Sequence, residues 1–353
     1  MRLKFLTAIQ EKFTVLEEKP LTIKKREEEF LYRGVCGVLS ELSNIILANN
    51  SRISTREVIT LMDIGSRGGS YIEKFVYPKC KISVYYPAHF QALRLLEGIN
   101  HHDFINSISC SNDWAANSGG KSKASFIRSA DNRFVFKSLK KFEFNMLDEM
   151  IHQYFAYISR RISYEDEIAT RLAKILGMYE VTTPSGGSKY YVAMENIFFG
   201  INPTRIYDLK GSEIRRYIPN PKPGQVMLDT NFKLDQNGEP IGIEDKQLKK
   251  ILSALKGDAF FLADMARIDY SLILAIDDER LECKIGIIDY LREYTLDKQL
   301  EHIGKVVMSG TTPTIVHPND YCRRFIESME KDFMGIFVEE KTSEKSLEEH
   351  KEM

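Results

Sequence analysis

One short apolar segment of the chain ends on a carboxylate, and this limits the folds that the chain can adopt. Residues 285–288 are three isoleucines and a glycine, and Asp289 follows them directly. A short apolar run of this kind is typical of a strand buried in a sheet. A buried carboxylate costs free energy unless a cation or hydrogen bonds satisfy it. We therefore expect a sheet that presents Asp289 to a magnesium ion, which prefers oxygen ligands.

Two earlier segments also place charged residues at predicted boundaries. Asp208 and Lys210 precede Gly211, so that opposite charges lie beside exposed backbone amides, an arrangement suited to phosphate. Asp269 follows residues 244–267, which have the pattern of a long amphipathic helix. Asp269 would then be a second functional acid. An acid that caps the turn after a helix has the same pattern, and that alternative stays open.

A loop of small residues is predicted at residues 117–123. It contains Gly119, Gly120, Lys121 and Ser122. It is not a P-loop, because Ala115 stands where that motif requires glycine and a strand follows where it requires a helix. Backbone without large side chains can approach phosphate oxygens closely, and kinase folds cover nucleotide phosphates with loops of this type.

The loop is followed by a predicted hairpin at residues 126–139, and Lys137 lies in its second strand. An apolar strand is a poor place for a lysine without a role. Lys137 therefore resembles in form the strand lysine that pairs with nucleotide phosphates in kinases. Glu143 or Glu149, on or beside the helix predicted at residues 142–158, is the expected partner of its ammonium group, and the sequence does not distinguish between them.

The composition excludes several classes of protein. The chain has 353 residues and a net charge of −1, which argues against a surface built to bind nucleic acid. Its five cysteines include no Cys-x-x-Cys pair, so neither a zinc site nor a disulfide framework is expected, and a reducing, cytoplasmic setting fits. No apolar run approaches the length of a membrane-spanning helix, so any membrane contact is expected to be peripheral.

Three segments together carry a family resemblance. They are DLKGS at residues 208–212, IDYSLI at 268–273 and GIIDY at 286–290. They resemble the segments DLKGS, DYSLL and IID, which occur in this order in the phosphatidylinositol phosphate kinases. The His-Arg-Asp, Asp-Phe-Gly and Ala-Pro-Glu motifs of protein kinases are not present around these acids, which argues against an ordinary protein kinase.

Within that family the chain is most similar to type III, the phosphatidylinositol 3-phosphate 5-kinases. The further matching segments are KISVYY at residues 81–86, FQALR at 90–94, GGKS at 119–122 and VAMEN at 192–196. The resemblance implies a two-lobed α+β kinase fold, remotely like that of protein kinases, with antiparallel sheets and flanking helices.

The resemblance also implies how the chain is divided. Residues 77–337 would form the lipid kinase catalytic domain, with an N-lobe at about 77–193 and a C-lobe at about 197–337. Residues 1–76 have a mostly helical pattern to which we assign no chemistry, and a support or an oligomer contact is expected there. Residues 338–353 are highly charged and are expected to be disordered.

The resemblance implies roles in binding the nucleotide. The residues expected to surround ATP are Gly119, Gly120, Lys121, Ser122, Phe126, Met194, Glu195, Asn196 and Ile288. Of these, Met194, Glu195 and Asn196 would line the adenine hinge. Lys137 would pair with the phosphates, and Asp289 would hold Mg²⁺.

Further residues are expected to act on the lipid. Asp269 would orient or deprotonate the inositol hydroxyl, and Lys210, with Asp208 two residues before it, would lie near the transferred phosphoryl group. The cations expected to contact the headgroup and the bilayer are Lys298, Lys305, Arg215 and Arg216. The segment that contains Arg215 and Arg216 also has the pattern of a solvated connector, which is the structural alternative.

The expected function is transfer of phosphate from Mg²⁺–ATP to the 5-hydroxyl of phosphatidylinositol 3-phosphate. The alternatives are a phosphatidylinositol 4-phosphate 5-kinase and a catalytically inactive scaffold that keeps the fold. The expected partners are a phosphoinositide in a membrane surface and a scaffold or recruiting protein, because few lysines near an anionic surface give only weak docking. The expected location is cytoplasmic, on the periphery of an endosomal or vacuolar membrane.

Overall fold

The structure is a computed structural model that describes residues 72–77, 80–109, 111–114, 126–163, 170–182, 186–294 and 317–336. The helices and strands of the first part, in chain order, are β1 Ile72–Tyr77, β2 Cys80–Tyr85, α1 Pro87–Leu96, α2 His101–Ser109, β3 Ser111–Trp114, β4 Phe126–Ser129, β5 Phe134–Leu139, α3 Lys141–Ser163, β6 Ile175–Thr182 and β7 Ser188–Glu195. Those of the second part are β8 Arg205–Leu209, β9 Met227–Leu228, α4 Asp229–Asp235, β10 Ile241–Glu244, α5 Asp245–Asp264, β11 Ser271–Asp277, β12 Glu282–Ile288, α6 Pro318–Asp332 and β13 Phe333–Ile336.

The first part of the chain is built on a seven-stranded antiparallel sheet. Its strands lie in the order β1-β2-β6-β7-β5-β4-β3. The predicted hairpin is confirmed as β4 and β5, and its turn uses Asn132 with a φ of 63°. Asparagine tolerates this left-handed conformation better than most residues. The hairpin places Lys137 opposite Phe126 on one side and Val192 on the other.

The helix α3 contributes an apolar face to the core of this first lobe. The residues predicted to form that face are all buried: Leu147, Ile151, Tyr154, Phe155 and Ile158. Their spacing of three and four residues places them on one side of a helix. Phe155 makes an edge-to-face contact with Phe90 of α1, with ring centroids 5.0 Å apart. The predicted helix is thus confirmed, and it begins and ends slightly outside the predicted range.

The second part of the chain is built on a four-stranded sheet. Its strands lie in the order β12-β11-β8-β9, and β11 is antiparallel to both β12 and β8. The strand β11 is buried along almost its whole length, which fits its apolar sequence. The helices α5 and α6 pack against each other beside this sheet. Leu255 of α5 and Phe325 and Met329 of α6 are buried in the hydrophobic core.

Residues 170–175 connect the two sheets. The amide of Ala173 donates to the carbonyl of Ile287 at 2.9 Å, and Leu172 forms a parallel bridge with the same residue of β12. The chain then continues directly into β6 of the first sheet. The hydroxyl of Tyr290 donates to the carbonyl of Ala173 at 2.6 Å. The segment that follows β12 is therefore fastened to the connection between the lobes.

The α+β class with antiparallel sheets and flanking helices is confirmed, whereas several details differ from the sequence prediction. Residues 72–77 form a strand that pairs with β2, so the helical pattern predicted as far as residue 76 is wrong at its end. The rest of residues 1–76 and the tail at 338–353 lie outside the described residues. The strands β6 and β11, which occupy inner positions in the two sheets, were not predicted.

The last residue of α6 gives a prediction about stability. Burial raises the pKa of Asp332 to about 6, and the partial negative charge of a helix C-terminus also disfavours a carboxylate. The unfolded chain ionises this group near pH 4, so the folded state bears a cost that grows between about pH 4 and pH 6. We expect Asp332→Asn to raise the free energy of unfolding by on the order of 2–3 kcal/mol at neutral pH.

This gain should be largely lost at about pH 4, where Asp332 is neutral in the folded wild-type protein and only partly ionised in the unfolded chain. Urea unfolding at neutral pH and at pH 4 measures the difference. Glu327→Gln, an exposed carboxyl group on the same helix, is the matched control. A gain for Asp332→Asn that is equal at both pH values would contradict the assignment.

Candidate active site

The ends of three neighbouring strands bring charged residues to one edge of the second sheet. In this sheet Leu272 pairs with Leu209, and Ser271 pairs with Ile288. Because β11 is antiparallel to both neighbours, its beginning lies beside the ends of β8 and β12. Lys210 follows β8, Asp269 comes two residues before β11, and Asp289 follows β12. The sheet therefore collects three of the predicted site residues, although they are far apart along the chain.

Asp269 is held by two cations. The ammonium group of Lys210 lies 2.7 Å from one carboxylate oxygen of Asp269 and donates to its backbone carbonyl at 2.6 Å. The guanidinium of Arg292 pairs with the other carboxylate oxygen. Burial alone would raise the pKa of Asp269, but the charges and hydrogen bonds of Lys210 and Arg292 outweigh it and lower that pKa. The group is therefore a carboxylate at neutral pH.

The backbone turns sharply at both predicted acids. Asp269 has a φ of 68° and Asp289 has a φ of 58°, both in the left-handed region. Residues other than glycine adopt this conformation at a cost, which is lowest for aspartate and asparagine. The amide of Ile268 donates to the carbonyl of Arg292 at 3.0 Å. This bond joins the segment that carries Asp269 to the segment that follows Asp289.

Lys137 reaches across from the first sheet and forms an ion pair with Asp289. The side chain of Lys137 is 14% exposed and that of Asp289 is 49% exposed. The expectation that Asp289 is buried in the sheet is therefore wrong, because the left-handed turn after β12 carries its side chain out of the core. The expected partners Glu143 and Glu149 do not hold Lys137, and Glu143 instead accepts a hydrogen bond from the amide of Lys140 at 2.8 Å.

A buried carboxylate shapes the DLKGS turn. Asp229, at the start of α4, accepts hydrogen bonds from the amides of Lys210 at 2.9 Å and Ser212 at 3.2 Å. Between them, Gly211 has a φ of 66°, and a β-carbon there would lie 2.9 Å from the carbonyl oxygen of Arg324. Only glycine fits both constraints. The turn thus presents the side chain of Lys210 to Asp269 in a fixed position.

Arg216 belongs to the same turn rather than to a free basic surface. Its guanidinium donates to the carboxylate of Asp229 at 2.7 Å and pairs with the carboxylate of Asp208. The side chains of Arg216 and Asp208 are only 17% and 21% exposed. These contacts indicate a structural role for both residues, so the predicted headgroup contact of Arg216 and the predicted catalytic role of Asp208 stay predictions. Arg215, which precedes Arg216 in the chain, is exposed.

The residues predicted to form the adenine hinge lie at the end of β7. Met194 pairs with Val135 of β5, the strand that also carries Lys137. The carboxylate of Glu195 accepts from the amide of Lys174 at 2.7 Å, so its side chain turns away towards that lysine. Asn196 is buried, and its amide group donates to the carbonyl of Asn132 at 2.6 Å. A hinge role remains open to the backbone of these residues, and it stays a prediction.

Six predicted site residues lie outside the described residues. They are Gly119, Gly120, Lys121, Ser122, Lys298 and Lys305. Phe126, which begins β4 after the predicted loop, is described, and the ammonium group of Lys137 lies 5.9 Å from the centre of its ring. A cavity of about 160 Å³ lies on the other side of the DLKGS turn, between Gly211 and Arg324, and neither Asp269 nor Asp289 lines it.

Three contacts of the site were not predicted. Asp229 stands in a stretch that has no motif, and only its helix-starting position gives a sequence signal. Arg292 lies three residues after Asp289, and no periodicity marks it. Arg267 is buried and donates to the carbonyl of Leu291 at 3.1 Å, which fastens the chain beside Asp269 to the chain beside Asp289.

The donor set fits a magnesium ion that is held partly by a nucleotide. Within the described ranges, no three His, Cys, Asp or Glu side chains form a metal-binding cluster. Magnesium commonly uses one or two carboxylates together with phosphate oxygens and water. Asp289, half exposed beside Lys137, meets that requirement with a single carboxylate. In the described part of the chain, no helix is both long and apolar enough to cross a bilayer.

Comparison with known proteins identifies the family. The family model described as phosphatidylinositol-4-phosphate 5-kinase matches residues 109–284 and 277–332. The 1-phosphatidylinositol-3-phosphate 5-kinase FAB1A of Arabidopsis thaliana is 37% identical over 269 residues, which cover 73% of this chain and 15% of that protein. The 1-phosphatidylinositol 3-phosphate 5-kinase FAB1 of Saccharomyces cerevisiae is 34% identical over 73% of this chain and 12% of its own length.

The human 1-phosphatidylinositol 3-phosphate 5-kinase is similar to the same extent, with 33% identity over 72% of this chain and 13% of that protein. The chain thus spans less than a fifth of the length of these curated relatives. The family model covers well over half of the chain and includes all four residues of the two lysine–aspartate pairs. The chain therefore belongs to the phosphatidylinositol-4-phosphate 5-kinase family, and within it resembles the 1-phosphatidylinositol-3-phosphate 5-kinases.

Proposed function

We propose that the chain is the catalytic domain of a lipid kinase that transfers phosphate from ATP to the 5-hydroxyl of phosphatidylinositol 3-phosphate. The observation that carries the proposal is the meeting of two lysine–aspartate pairs at one sheet edge, Lys210 with Asp269 and Lys137 with Asp289. Phosphoryl transfer requires mainly positioning and charge neutralisation, which such pairs provide. The names of the relatives, all 3-phosphate 5-kinases, support this choice of lipid.

Lys137 and Asp289 form the nucleotide side of the proposed site. Lys137 would bind phosphate oxygens of ATP, and Asp289 would ligate Mg²⁺. The metal ion, when bound, neutralises the charge on the β- and γ-phosphates. Their contact lies where β5 of the first sheet and the end of β12 of the second sheet approach each other. The hinge at Met194 and the loop at residues 119–122 would enclose the rest of the nucleotide.

Asp269 and Lys210 form the acceptor side. Asp269 is ionised at neutral pH because its two cations lower its pKa, so it can accept a hydrogen bond from the inositol hydroxyl. Its low pKa makes it a weak proton acceptor, which favours orientation of the hydroxyl over early removal of its proton. Lys210, 2.7 Å from that carboxylate, would stabilise charge on the transferred phosphoryl group.

The proposed substrate lies in a membrane, so the enzyme would work as a peripheral protein on a cytoplasmic surface, endosomal or vacuolar. Arg215, exposed on the segment after the DLKGS turn, would contact anionic lipid, together with Lys298 and Lys305. Each cation near such a surface contributes about 1 kcal/mol. A scaffold or recruiting protein would supply further affinity. Relatives six to eight times longer than the matched region have room for such contacts.

The second candidate is a phosphatidylinositol 4-phosphate 5-kinase, because that lipid is in the description of the matching family model. An inactive scaffold is disfavoured by the intact pairs of Lys137 with Asp289 and Lys210 with Asp269. A scaffold would have no need to hold four ionisable groups in this arrangement.

The lipid preference is tested on vesicles that each contain one phosphatidylinositol monophosphate, with radiolabelled ATP and Mg²⁺. We expect phosphatidylinositol 3-phosphate to be converted to the 3,5-bisphosphate, identified by headgroup chromatography. Conversion of the 4-phosphate isomer alone would assign the chain to the second candidate. Absence of turnover with all three monophosphates would support the scaffold.

The roles of the ion pairs are tested by substitution. We expect Lys137→Ala and Asp269→Asn each to lower kcat by about 100-fold or more, the scale for removal of one preorganised charge-stabilising group. The matched controls are Lys81→Ala, an exposed lysine on a strand of the same sheet, and Asp264→Asn, an exposed acid at the end of α5. Steady-state kinetics on lipid vesicles gives the measurement. Near-normal rates in either site variant would remove that residue from the mechanism.

The charge around Asp269 gives a pH prediction. Arg292 is one of the cations that lower the pKa of Asp269, so Arg292→Gln should raise that pKa. The acidic limb of the kcat/KM profile should then move to higher pH, because Asp269 must be ionised to accept the hydroxyl. Arg323→Gln, on an exposed arginine paired with Asp320, is the control. An acidic limb that does not move would show that another group sets it.

A further inference from the structure

Two large apolar side chains stand in solvent on the segment that follows the DLKGS turn. We call this segment, residues 213–224, the basic loop. Ile214 is 71% exposed and Tyr217 is 52% exposed. Isolated apolar side chains on a surface are common, but these two flank Arg215, which is also exposed. A pair of apolar groups around a cation is unusual for a plain solvated connector.

Hydrogen bonds made by Arg216 and Ile218 fix the backbone of the basic loop. The guanidinium of Arg216 donates to Asp229 within the DLKGS turn. The backbone carbonyl of Arg216 accepts a hydrogen bond from the amide of Thr230 at 3.0 Å. The amide of Ile218 donates to the side chain of Asn231 at 2.9 Å, and the carbonyl of Ile218 accepts from the same side chain at 2.9 Å. These anchors turn the residues between them outward. The exposed positions are thus presented by a held backbone rather than by a loose one.

The exposed charge of the basic loop is positive. Arg215 and Lys222 are exposed, whereas Glu213 is paired with Lys233 of α4. The remaining exposed residues of the loop include Pro219, Asn220, Pro221, Pro223 and Gly224. The outward surface therefore combines cations with apolar groups and carries no unpaired acid, which complements an anionic surface.

The basic loop lies close to the acceptor side of the proposed site. Ile214 follows Lys210 by four residues, so their α-carbons are at most about 14 Å apart. The ammonium group of Lys210 contacts Asp269 directly. A bilayer that contacts Ile214 would therefore lie near the residue whose ammonium group holds Asp269.

We infer that the basic loop is a membrane anchor, in which Ile214 and Tyr217 enter the interfacial region of an anionic bilayer while Arg215 and Lys222 bind lipid phosphates. The inference rests on the proposed function, which requires the site to meet a bilayer, and it adds an apolar contribution to a docking that was expected to be electrostatic. Interfacial binding grows with both buried apolar area and attraction to anionic lipid. Tyrosine is favoured at the depth of the headgroups because its ring is apolar and its hydroxyl is polar.

The full chain is tested for binding to vesicles of phosphatidylcholine that contain phosphatidylserine and phosphatidylinositol 3-phosphate, by co-sedimentation. We expect the double variant Ile214→Ser, Tyr217→Ser to bind at least about tenfold more weakly, because two apolar groups no longer enter the bilayer. Electrostatic attraction falls with salt and apolar burial does not. The wild-type protein should therefore keep part of its binding at high salt, and the double variant should lose it.

The matched control is Leu281→Ser on the turn between β11 and β12. Leu281 is 91% exposed and is followed by no anchored basic segment, while Arg280 beside it is also exposed. We expect this control to bind vesicles as the wild-type protein does. Equal unfolding transitions and equal ATP affinity for all variants would exclude a general structural effect.

Three outcomes would overturn the inference. They are equal vesicle binding by the double variant and the wild-type protein, no vesicle binding by the wild-type protein at all, and loss of a concentration-dependent self-association in the double variant, which would assign the surface to a second copy of the chain. Vesicle binding is measured without turnover. A failure of the anchor is therefore separate from a failure of the kinase assay, in which no monophosphate is phosphorylated.

Discussion

The pairing of β11 with both of its neighbours determines the geometry of the whole site. The partners Leu209 and Ile288 place the ends of β8 and β12 beside the start of β11. A shift of one residue in either pairing would turn every side chain of that strand to the opposite face. The strand β8 opposes such a shift, because its alternate residues Tyr207 and Leu209 are buried and their face must stay in the core. The positions of Lys210, Asp269 and Asp289 thus follow from packing that is itself apolar.

Around this sheet edge, the charged side chains form ion pairs, and these pairs differ in how far they are exposed to solvent. Asp229 is almost fully buried, and it receives two amides and a guanidinium, which offset the cost of removing its charge from water. Loss of Arg216 would leave that carboxylate short of its strongest donor. The DLKGS turn depends on this buried network, and the position of the Lys210 ammonium group beside Asp269 depends on the turn. The DLKGS motif therefore has a structural role, which is to hold the turn, in addition to any chemical role of Lys210.

The sequence singled out the acids and the lysines as candidates because their residue types and order carry a signal, and their roles stay predictions. Lys137 was found from an apolar strand after a loop, and Asp289 from an apolar run that ends on an acid. Their mutual contact could not be predicted, because it joins residues 152 positions apart across two sheets. The expected burial of Asp289 was wrong for a local reason, since a single left-handed residue reverses the direction of a side chain.

The unpredicted strands have a similar explanation. The segment of β11 is a nearly continuous apolar run and that of β6 is mostly apolar, and short runs of this kind do not distinguish a strand from a buried helix by periodicity. Arg292 and Asp229 were missed because each acts through a tertiary contact, and isolated charged residues resemble solvated ones in a sequence. The predicted roles of residues 119–122, Lys298 and Lys305 lie in parts of the chain that the structure does not describe, so they stay predictions.

The two lysine–aspartate pairs should behave differently when a nucleotide binds. Lys137 and Asp289 must separate so that one can reach phosphate oxygens and the other a metal ion. Asp289 is about half exposed, and ion pairs with an exposed partner contribute little, about 0–1 kcal/mol. Separation therefore costs little. Lys210, by contrast, is bonded to both the carboxylate and the backbone carbonyl of Asp269. That second bond lets the lysine stay in place while its partner binds a hydroxyl, so the acceptor side keeps its geometry while the nucleotide side rearranges.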